Sequence, residues 1–271
     1  IWKSGKEQLP KILEKLRKGV VDSALDGVGV TITAELSDAY RTKKEGINHV
    51  LTCVTEVFGD VPTFVLDVEA NLLSVKDARK EPLKVASANW AATGWMISKL
   101  IKNCIVVDVG STTTSIIPVI NGKIAAEGRT DLEKFQNGEL VYSGSLRTNV
   151  AAIVNAIPVR GRAARVSSEL FAQSGDVHLI LGNIGEEEYT AETCDGRGKT
   201  VREAIARLAR VVCADSDMLT EQEVRDIAKF VYERQVEQIS GGLSQVYERI
   251  KQSIQEKTVV VTGLGRNFLA R

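Results

Sequence analysis

The sequence has few of the residues that most often build metal centres and nucleophilic triads. It contains two histidines and four cysteines, and the cysteines are far apart with no Cys-x-x-Cys pair. A zinc site and a Ser-His-Asp or Cys-His catalytic set are therefore not expected. Scattered thiols are typical of a reducing compartment, so we expect a cytoplasmic protein.

The sequence also lacks an excess of charge of either sign. Lys+Arg and Asp+Glu both total 35, and this balance argues against a nucleic-acid partner, which usually meets a basic face. No apolar run approaches the roughly 20 residues that cross a bilayer, so no membrane partner is expected either. There is no Gly-x-x-x-x-Gly-Lys-Ser/Thr motif, which excludes a P-loop NTPase. Nothing in the sequence indicates an oligomeric state.

Residues 108–114, read Asp-Val-Gly-Ser-Thr-Thr-Thr, lie between two apolar runs. These runs, with a third around Ile124, predict three antiparallel strands, because the intervening pair Asn121-Gly122 suits the positive φ angles of a type I′ turn. Asp108 can face Mg²⁺ or its water, and the N–H and hydroxyl groups that follow suit a phosphate. The tip of the first hairpin would consist of Gly110, Ser111, Thr112, Thr113 and Thr114.

Before this hairpin, helical and strand-like periodicities alternate, which predicts an α/β layer with a partly parallel sheet. We place an N-terminal domain at residues 1–102 and a C-terminal domain at 103–271, with an irregular insertion at about 128–200. In the second domain, a helix from Glu221 to about Ser240 is expected to be interrupted by Gly241-Gly242.

A second glycine-containing turn, Thr262-Gly263-Leu264-Gly265, follows the apolar run 259–261. Gly263 and Gly265 would let the backbone approach a base, ribose or phosphate. The third glycine of the dinucleotide fingerprint is absent, because Phe268 stands in its place. A tight turn packed for structural reasons is an equal alternative.

Several charged side chains are further candidates. Glu35 and Asp38 follow a strand end, where ligand sites of α/β proteins gather. Trp90 is a core residue or a platform for an aromatic substrate. Guanidinium groups bind phosphate oxygens bidentately, although helical arginines are more often solvated or salt-bridged. Candidates for such a diphosphate clamp are Arg147, Lys199, Arg207 and Arg210.

The hairpin loop and the late glycine turn resemble the superfamily of sugar kinases, heat-shock cognate proteins and actin, in which such a hairpin loop binds phosphate. The resemblance implies a two-domain, actin-like ATPase (ribonuclease H-like) α/β fold. More narrowly, four stretches resemble an archaeal family in the hydantoinase/oxoprolinase-like group, the methanofuran-biosynthesis synthases, also labelled tetrahydromethanopterin-linked one-carbon transfer pathway proteins. They are residues 33–46, 86–93, 142–148 and 207–215.

Members of that family usually begin with a strand and an Asp-Ile-Gly-Gly-type loop upstream of the segment that matches Ile1-Trp2, and continue after the segment that matches Arg271. We therefore expect the sequence to be a fragment of a longer chain.

The narrower resemblance implies a transferase that joins an aminomethyl-furanmethanol diphosphate to the phenol oxygen of γ-glutamyltyramine. Residues 110–114 would bind the diphosphate, Asp108 would orient Mg²⁺, and Arg147 with Arg210 or Lys199 would balance charge. Glu35 or Asp38 would deprotonate the phenol or hold the substrate amine. ATP binding stays open. The alternatives are an ATP-dependent kinase or hydantoinase/oxoprolinase-like hydrolase of the same superfamily, and a non-catalytic nucleotide-binding scaffold.

Overall fold

The computed structural model describes residues 5–20, 25–254 and 257–270. The chain forms two compact units, of which unit 1 comprises residues 1–103 and 119–136, and unit 2 comprises residues 104–118 and 137–271. The division after Asn103 lies one residue beyond the boundary that the sequence suggested. The segment 119–136, which sequence reasoning assigned to the second domain, groups with unit 1 instead. The Gly122 N–H donates to the Lys102 carbonyl at 2.8 Å, and the Asn121 N–H to Asn103 Oδ1 at 2.9 Å.

Unit 1 begins with four helices and three short strands. Thr42 and Ser74 each cap a helix by accepting a backbone N–H three residues further on. In chain order the elements are α1 (Leu9–Val20), β1 (Val28–Val30), α2 (Lys43–Phe58), β2 (Thr63–Leu66), β3 (Leu72–Ser74), α3 (Val75–Lys80) and α4 (Asn89–Leu100).

The three strands of unit 1 form a mixed sheet in the order β1-β2-β3, with β1 parallel to β2 and β2 antiparallel to β3. The apolar face of α2, which includes Ile47, Leu51 and Val54, is buried in the same core as Val65 of β2. Beyond β1, Ile32 makes a parallel bridge to Ala86. This bridge brings the segment after β1 alongside the segment before α4.

The second half of the chain alternates short strands with helices of very unequal length. Thr220 and Glu223 form a capping box at the start of the longest helix, α9. In chain order the elements are β4 (Cys104–Val109), β5 (Thr114–Ile120), β6 (Lys123–Ile124), α5 (Asp131–Gln136), β7 (Leu140–Val141), α6 (Val150–Ile153), β8 (Ala156–Val159), β9 (Arg162–Arg165), α7 (Ser174–Ile180), α8 (Val201–Arg210), α9 (Glu221–Ile250) and β10 (Val259–Thr262).

Most of these strands belong to one mixed sheet with the order β10-β4-β5-β6, and β7 pairs with β5. The predicted turn between β5 and β6 is confirmed, since Asn121 and Gly122 have φ of 52° and 72°. β10 is parallel to β4, in a register that pairs Thr262 with Asp108. The mixed parallel and antiparallel pairing confirms the α/β class predicted from the sequence.

The predicted break at Gly241-Gly242 is wrong, because α9 runs without interruption from Glu221 to Ile250. A Cβ at Gly242 would lie 2.8 Å from Val141 Cγ2 and 2.9 Å from Ile116 Cδ1. Gly242 therefore allows the helix to approach β5 and β7 closely, and this packing outweighs the low helix propensity of glycine.

Two findings complete the description of the chain. The four cysteines are free thiols, two of them buried. Among the described helices, none has the length and the apolar character that crossing a bilayer would require.

Candidate functional site

The hydroxyl-rich tip of the β4–β5 hairpin is the first part of the candidate site. We call residues 110–113 the tip loop. β4 ends at Val109 and β5 begins at Thr114, so the predicted position of the tip is confirmed. The Gly110 N–H donates to the Thr113 carbonyl at 2.9 Å and closes the turn. Ser111, Thr112 and Thr113 are half-buried.

A second loop, residues 142–148, lies against the tip loop, and we call it the bracing loop. The Ser145 N–H donates to the Gly110 carbonyl, and the N–H groups of Leu146 and Arg147 both donate to the Ser111 carbonyl, each at 2.9 Å. A Cβ at Gly144 would lie 2.5 Å from the carbonyl carbon of Thr112. Glycine is therefore required for this contact, and the structure brings together two motifs that are 29 residues or more apart in the sequence.

In the tip loop most backbone carbonyls are paired, whereas the N–H groups of residues 111–113 are not paired with other backbone groups of the described chain. The carbonyls at Gly110 and Ser111 accept from the bracing loop. The N–H groups of Ser111, Thr112 and Thr113 donate none of the backbone hydrogen bonds found outside regular helices and strands in the described chain. Successive N–H groups of this kind in a turn, next to the hydroxyls of the same residues, are typical of sites that bind an anion.

Thr114 differs from the prediction that grouped it with the ligand-binding hydroxyls. Its side chain is fully buried, and Oγ1 donates to the Ser143 carbonyl at 2.7 Å. Thr114 therefore holds the bracing loop in place from inside the unit. Its position as the first residue of β5 explains the difference, since alternate side chains of a strand point to opposite faces.

The Gly263 turn lies beside the tip loop, because β10 is the parallel neighbour of β4. Gly263 has φ of +85°, and a Cβ there would lie 2.3 Å from the Val109 carbonyl oxygen and 2.7 Å from Asp108 Oδ1. The Gly265 N–H donates to the same carbonyl at 3.0 Å. Residues 264–269 continue as turns. Both glycines therefore contact Val109, and Gly263 also lies against Asp108.

A buried network that sequence reasoning missed holds the bracing loop from the other side. Gln235 of α9 donates from Nε2 to Ser143 Oγ at 3.0 Å and to the Gly144 carbonyl at 2.8 Å. Its Oε1 lies 3.0 Å from Nε2 of His178. Burial lowers the pKa of His178 from the usual 6.5 to about 4, so the ring is neutral at pH 7. Gln235 interrupts the apolar face of α9, which was the only sequence signal for this network.

The candidate diphosphate clamp is divided by the structure. Arg147 is exposed and adjoins the tip loop through its backbone. Arg207 is fully buried and is ion-paired to Asp176 at 2.8 Å and to Asp195 at 3.2 Å. Arg210 also contacts Asp195, at 3.3 Å, and the ammonium of Lys199 lies 5.6 Å from the centre of the Tyr189 ring. Arg207 is thus a structural ion pair rather than an exposed clamp residue.

Asp108 is the candidate metal ligand. The described residues contain no grouping of three or more His, Cys, Asp or Glu side chains that could hold a metal by themselves. A single carboxylate beside hydroxyls does not suit Zn²⁺. It does fit Mg²⁺, which is commonly held by one or two carboxylates together with substrate phosphate oxygens and water.

In unit 1, Glu35 belongs to a group of polar side chains that we call the carboxylate cluster. Ser87 Oγ lies 2.6 Å from Glu35 Oε1 and 3.0 Å from Asp131 Oδ2, and Lys43 Nζ lies 2.5 Å from Asp131 Oδ2. Glu35 is 1% exposed, and its Oε2 has no hydrogen-bond partner. The members of the carboxylate cluster are Glu35, Lys43, Ser87 and Asp131.

The other candidates of unit 1 lie outside this cluster. Asp38 is exposed in the turn that follows Glu35. Trp90 is 3% exposed, and the ammonium of the buried Lys134 lies 3.8 Å from the centre of its ring. The core interpretation of Trp90 is therefore the right one, and Lys134 covers the face that a substrate ring would need. Ser87 and Asp131 were missed, although Ser87 lies in the conspicuous stretch 86–93.

These features define an α/β protein with a hydroxyl-rich hairpin loop at the end of a mixed sheet. The sequence profile of the hydantoinase/oxoprolinase family matches residues 26–271. The chain belongs to this family, which confirms the group that its motifs indicated.

Two relatives are more specific. The chain is 41% identical over 270 residues to the (4-{4-[2-(γ-L-glutamylamino)ethyl]phenoxymethyl}furan-2-yl)methanamine synthase of Methanocaldococcus jannaschii, covering 99% of this chain and 78% of that protein. It is 40% identical over 168 residues to the synthase of the same name from Methanococcus vannielii, covering 62% of this chain and 73% of that protein. The narrower resemblance drawn from the sequence is thereby confirmed.

Among solved structures, the nucleotide-free acetone carboxylase aligns with 91% of this chain and 42% of its own, at a TM-score of 0.46 and 12% identity. The ethanolamine utilization protein EutJ from Carboxydothermus hydrogenoformans aligns with 98% of this chain and 63% of its own. Its TM-score is 0.37 and its sequence identity is 16%. Both likenesses are too distant to support a conclusion.

Proposed function

We propose that the protein is the transferase of methanofuran biosynthesis that forms the phenoxymethyl-furan ether named in its two relatives. The observation that carries the proposal is the tip loop, with its free backbone N–H groups and hydroxyls braced by residues 142–148. The ether is the product named in the two relatives, and an anionic leaving group would bind at the tip loop.

The chemistry of the ether explains why an anion site is needed. The phenol oxygen forms a bond to the methylene carbon of the furan, the phenol loses its proton, and the bond from that carbon to a diphosphate oxygen breaks with its electron pair. The furan ring stabilises positive charge that develops on the methylene. The enzyme must then stabilise the departing diphosphate and align the phenol, which are electrostatic and positional tasks.

Each residue of the loop region has a role in this proposal. The N–H and hydroxyl groups of Ser111, Thr112 and Thr113 bind the diphosphate, with Gly110 allowing close approach. The exposed guanidinium of Arg147, at the edge of the tip loop, neutralises part of the charge of the diphosphate. Asp108 would hold Mg²⁺, which would supply positive charge for the departing diphosphate. The absence of a side chain at Gly263 leaves space beside that carboxylate, and Gly265 packs on Val109.

Two residues of the earlier clamp are given a smaller part. The charge of Arg210 is already balanced by Asp195, and Lys199 lies over Tyr189. We assign the charge-neutralising role to Arg147 because its backbone N–H binds the Ser111 carbonyl of the tip loop itself. Glu35 and Asp38 of unit 1 stay the candidates for the phenol proton or the substrate amine. We also propose that the fold is of the actin-like type and that the protein works in the cytoplasm, where its free thiols stay reduced.

The first test is calorimetric titration of the full-length gene product with diphosphate and then with ATP, each with Mg²⁺. Diphosphate binding without ATP binding supports the transferase, and formation of the ether from the two substrates would then establish it. The same loop could hold the phosphates of ATP, so tight ATP binding would favour a kinase or hydrolase of the superfamily. Binding of neither would contradict both and leave a scaffold.

A further inference from the structure

The carboxylate cluster of unit 1 has more acceptors than donors. Two carboxylates, Glu35 and Asp131, face one ammonium, Lys43, and one hydroxyl, Ser87. The hydroxyl carries a single proton, yet it lies within 3.0 Å of oxygens from both carboxylates. One of these two contacts therefore lacks a proton and sets a lone pair against a carboxylate oxygen.

The position of Glu35 makes this shortage unusual. Its side chain is 1% exposed, and Oε2 is buried without a hydrogen-bond partner. Leaving a charged acceptor buried and unpaired is unfavourable, and native proteins seldom retain one without a use. Lys43 contacts Asp131, so it does not supply the missing donor for Glu35 Oε2.

The backbone holds this arrangement firmly. The Ile32–Ala86 bridge aligns the two segments, and Ser87 has φ of +49°, in the left-handed region that a serine rarely adopts. A Cβ at Gly46 would lie 2.7 Å from the Glu35 Cα, so the start of α2 packs directly on the backbone of Glu35. Strain and close packing that keep an unpaired carboxylate in place are typical of binding sites.

We infer that the carboxylate cluster binds a primary ammonium group of the substrate. An ammonium has a positive charge and three donors, which matches the excess negative charge, the unpaired Oε2 and the proton-deficient contact at Ser87. It would enter from the side of Lys43 and Asp131, whose side chains are 24% and 19% exposed. This inference rests on the proposed function for the identity of the amine.

The product named in the relatives has two primary amines, the furan methanamine and the α-amino group of its γ-glutamyl part. Two probes without phosphate separate these two amines. Furfurylamine carries the first, γ-glutamylethylamide carries the second, and furfuryl alcohol is an uncharged control of nearly the same shape. Each is titrated into the full chain, with binding followed by saturation-transfer NMR.

We expect one of the amines to bind and furfuryl alcohol not to bind. Glu35→Gln should lower the affinity for the amine by roughly tenfold or more, as expected for the loss of a charge-assisted hydrogen bond. Glu56→Gln, an exposed change on α2, is the matched control and should leave binding unchanged. Equal binding of amine and alcohol, no amine binding at all, or full binding by Glu35→Gln would overturn the inference.

Thermal unfolding separates binding from a structural role. If Glu35 is retained for the ligand, Glu35→Gln removes an unpaired buried charge and should unfold at the same or a higher temperature. A purely structural carboxylate predicts a lower temperature together with unchanged amine affinity of the folded fraction. Should Glu35→Gln fail to fold, Asp131→Asn changes the half-exposed carboxylate, and unchanged amine binding there would count against the site.

The outcome is distinguishable from that of the proposed function. The probes carry no phosphate, so diphosphate titration reports on the tip loop alone. Failure of the diphosphate experiment with amine binding intact would overturn the transferase proposal and leave the ammonium site. The reverse result would overturn the ammonium site only.

Discussion

The tip loop of unit 2 and the carboxylate cluster of unit 1 are built from opposite kinds of group. The tip loop presents backbone N–H groups, and its geometry depends on glycines at positions 110, 144 and 263, where a Cβ would meet backbone atoms. The carboxylate cluster presents side-chain oxygens, and its geometry depends on two carboxylates held near one hydroxyl. One suits an anion and the other suits a cation.

The difference shows how the two sites respond to change. Substitutions other than proline leave the backbone donors in place, so the tip loop is sensitive mainly to the glycines and buried groups that shape it. The carboxylate cluster is sensitive to the charge of each member.

The largest effect is expected from Asp108→Asn, which keeps the shape of the side chain and removes its charge. Turnover should fall by roughly a thousandfold, because a neutral amide holds Mg²⁺ poorly and the positive charge that stabilises the departing diphosphate is worth several kcal/mol. Thermal unfolding should be unchanged. Asp226→Asn, on the exposed face of α9, is the control. Unchanged turnover in Asp108→Asn would remove the proposed Mg²⁺ role.

The next effect concerns the support of the bracing loop and depends on pH. His178 has a pKa of about 4 in the folded protein, so the unfolded chain binds a proton between pH 6.5 and 4 that the folded chain does not. The contribution of neutral His178 to the free energy of unfolding is fully present above pH 6.5. It falls by about 3 kcal/mol as the pH drops to 4.

Urea denaturation at a series of pH values measures this loss. His178→Gln should flatten that part of the curve. The same variant at pH 7.5 gives the cost of lost packing alone, when neither state is charged. A wild-type slope that persists in His178→Gln would mean that other groups cause the acid sensitivity.

A smaller effect is expected from Gly144→Ala. The new Cβ would overlap the backbone of Thr112, so the tip loop must shift. Diphosphate affinity should fall by roughly a hundredfold, in line with the loss of two or three hydrogen bonds to an anion. Gly241→Ala is the matched control, since a Cβ there meets nothing within 4 Å, and it should leave calorimetric binding unchanged. Equal affinities in the two variants would separate the bracing loop from the anion site.

The smallest effect is expected from Arg147→Met. Its backbone N–H holds the Ser111 carbonyl whatever the side chain, and the side chain is exposed, so stability should change by less than about 0.5 kcal/mol. Diphosphate affinity should fall by roughly tenfold through the loss of one charge at the rim. Arg202→Met, an exposed change on α8, should bind normally. If both arginine variants bind alike, Arg147 has no part in the site.

Local sequence patterns were enough to predict the parts that depend on near neighbours. The Asn121-Gly122 turn, the position of the tip loop and the α/β class follow from turn chemistry and apolar periodicity. Parts decided by packing were predicted poorly. The continuous helix through Gly242 and the burial of Thr114 and Arg207 depend on residues far away in the sequence.

The sequence by itself therefore determined which groups are available for chemistry, the family and the local shape of the loop that carries the hydroxyls. Only the tertiary structure decided which groups meet. Strand β10 brings Gly263 beside Asp108, residues 142–148 fix the carbonyls of the tip loop, and the bridge at Ile32 sets Glu35 against Ser87. The physical reason is that short-range steric preferences act along the chain, whereas burial and hydrogen-bond pairing act between segments that only folding brings together.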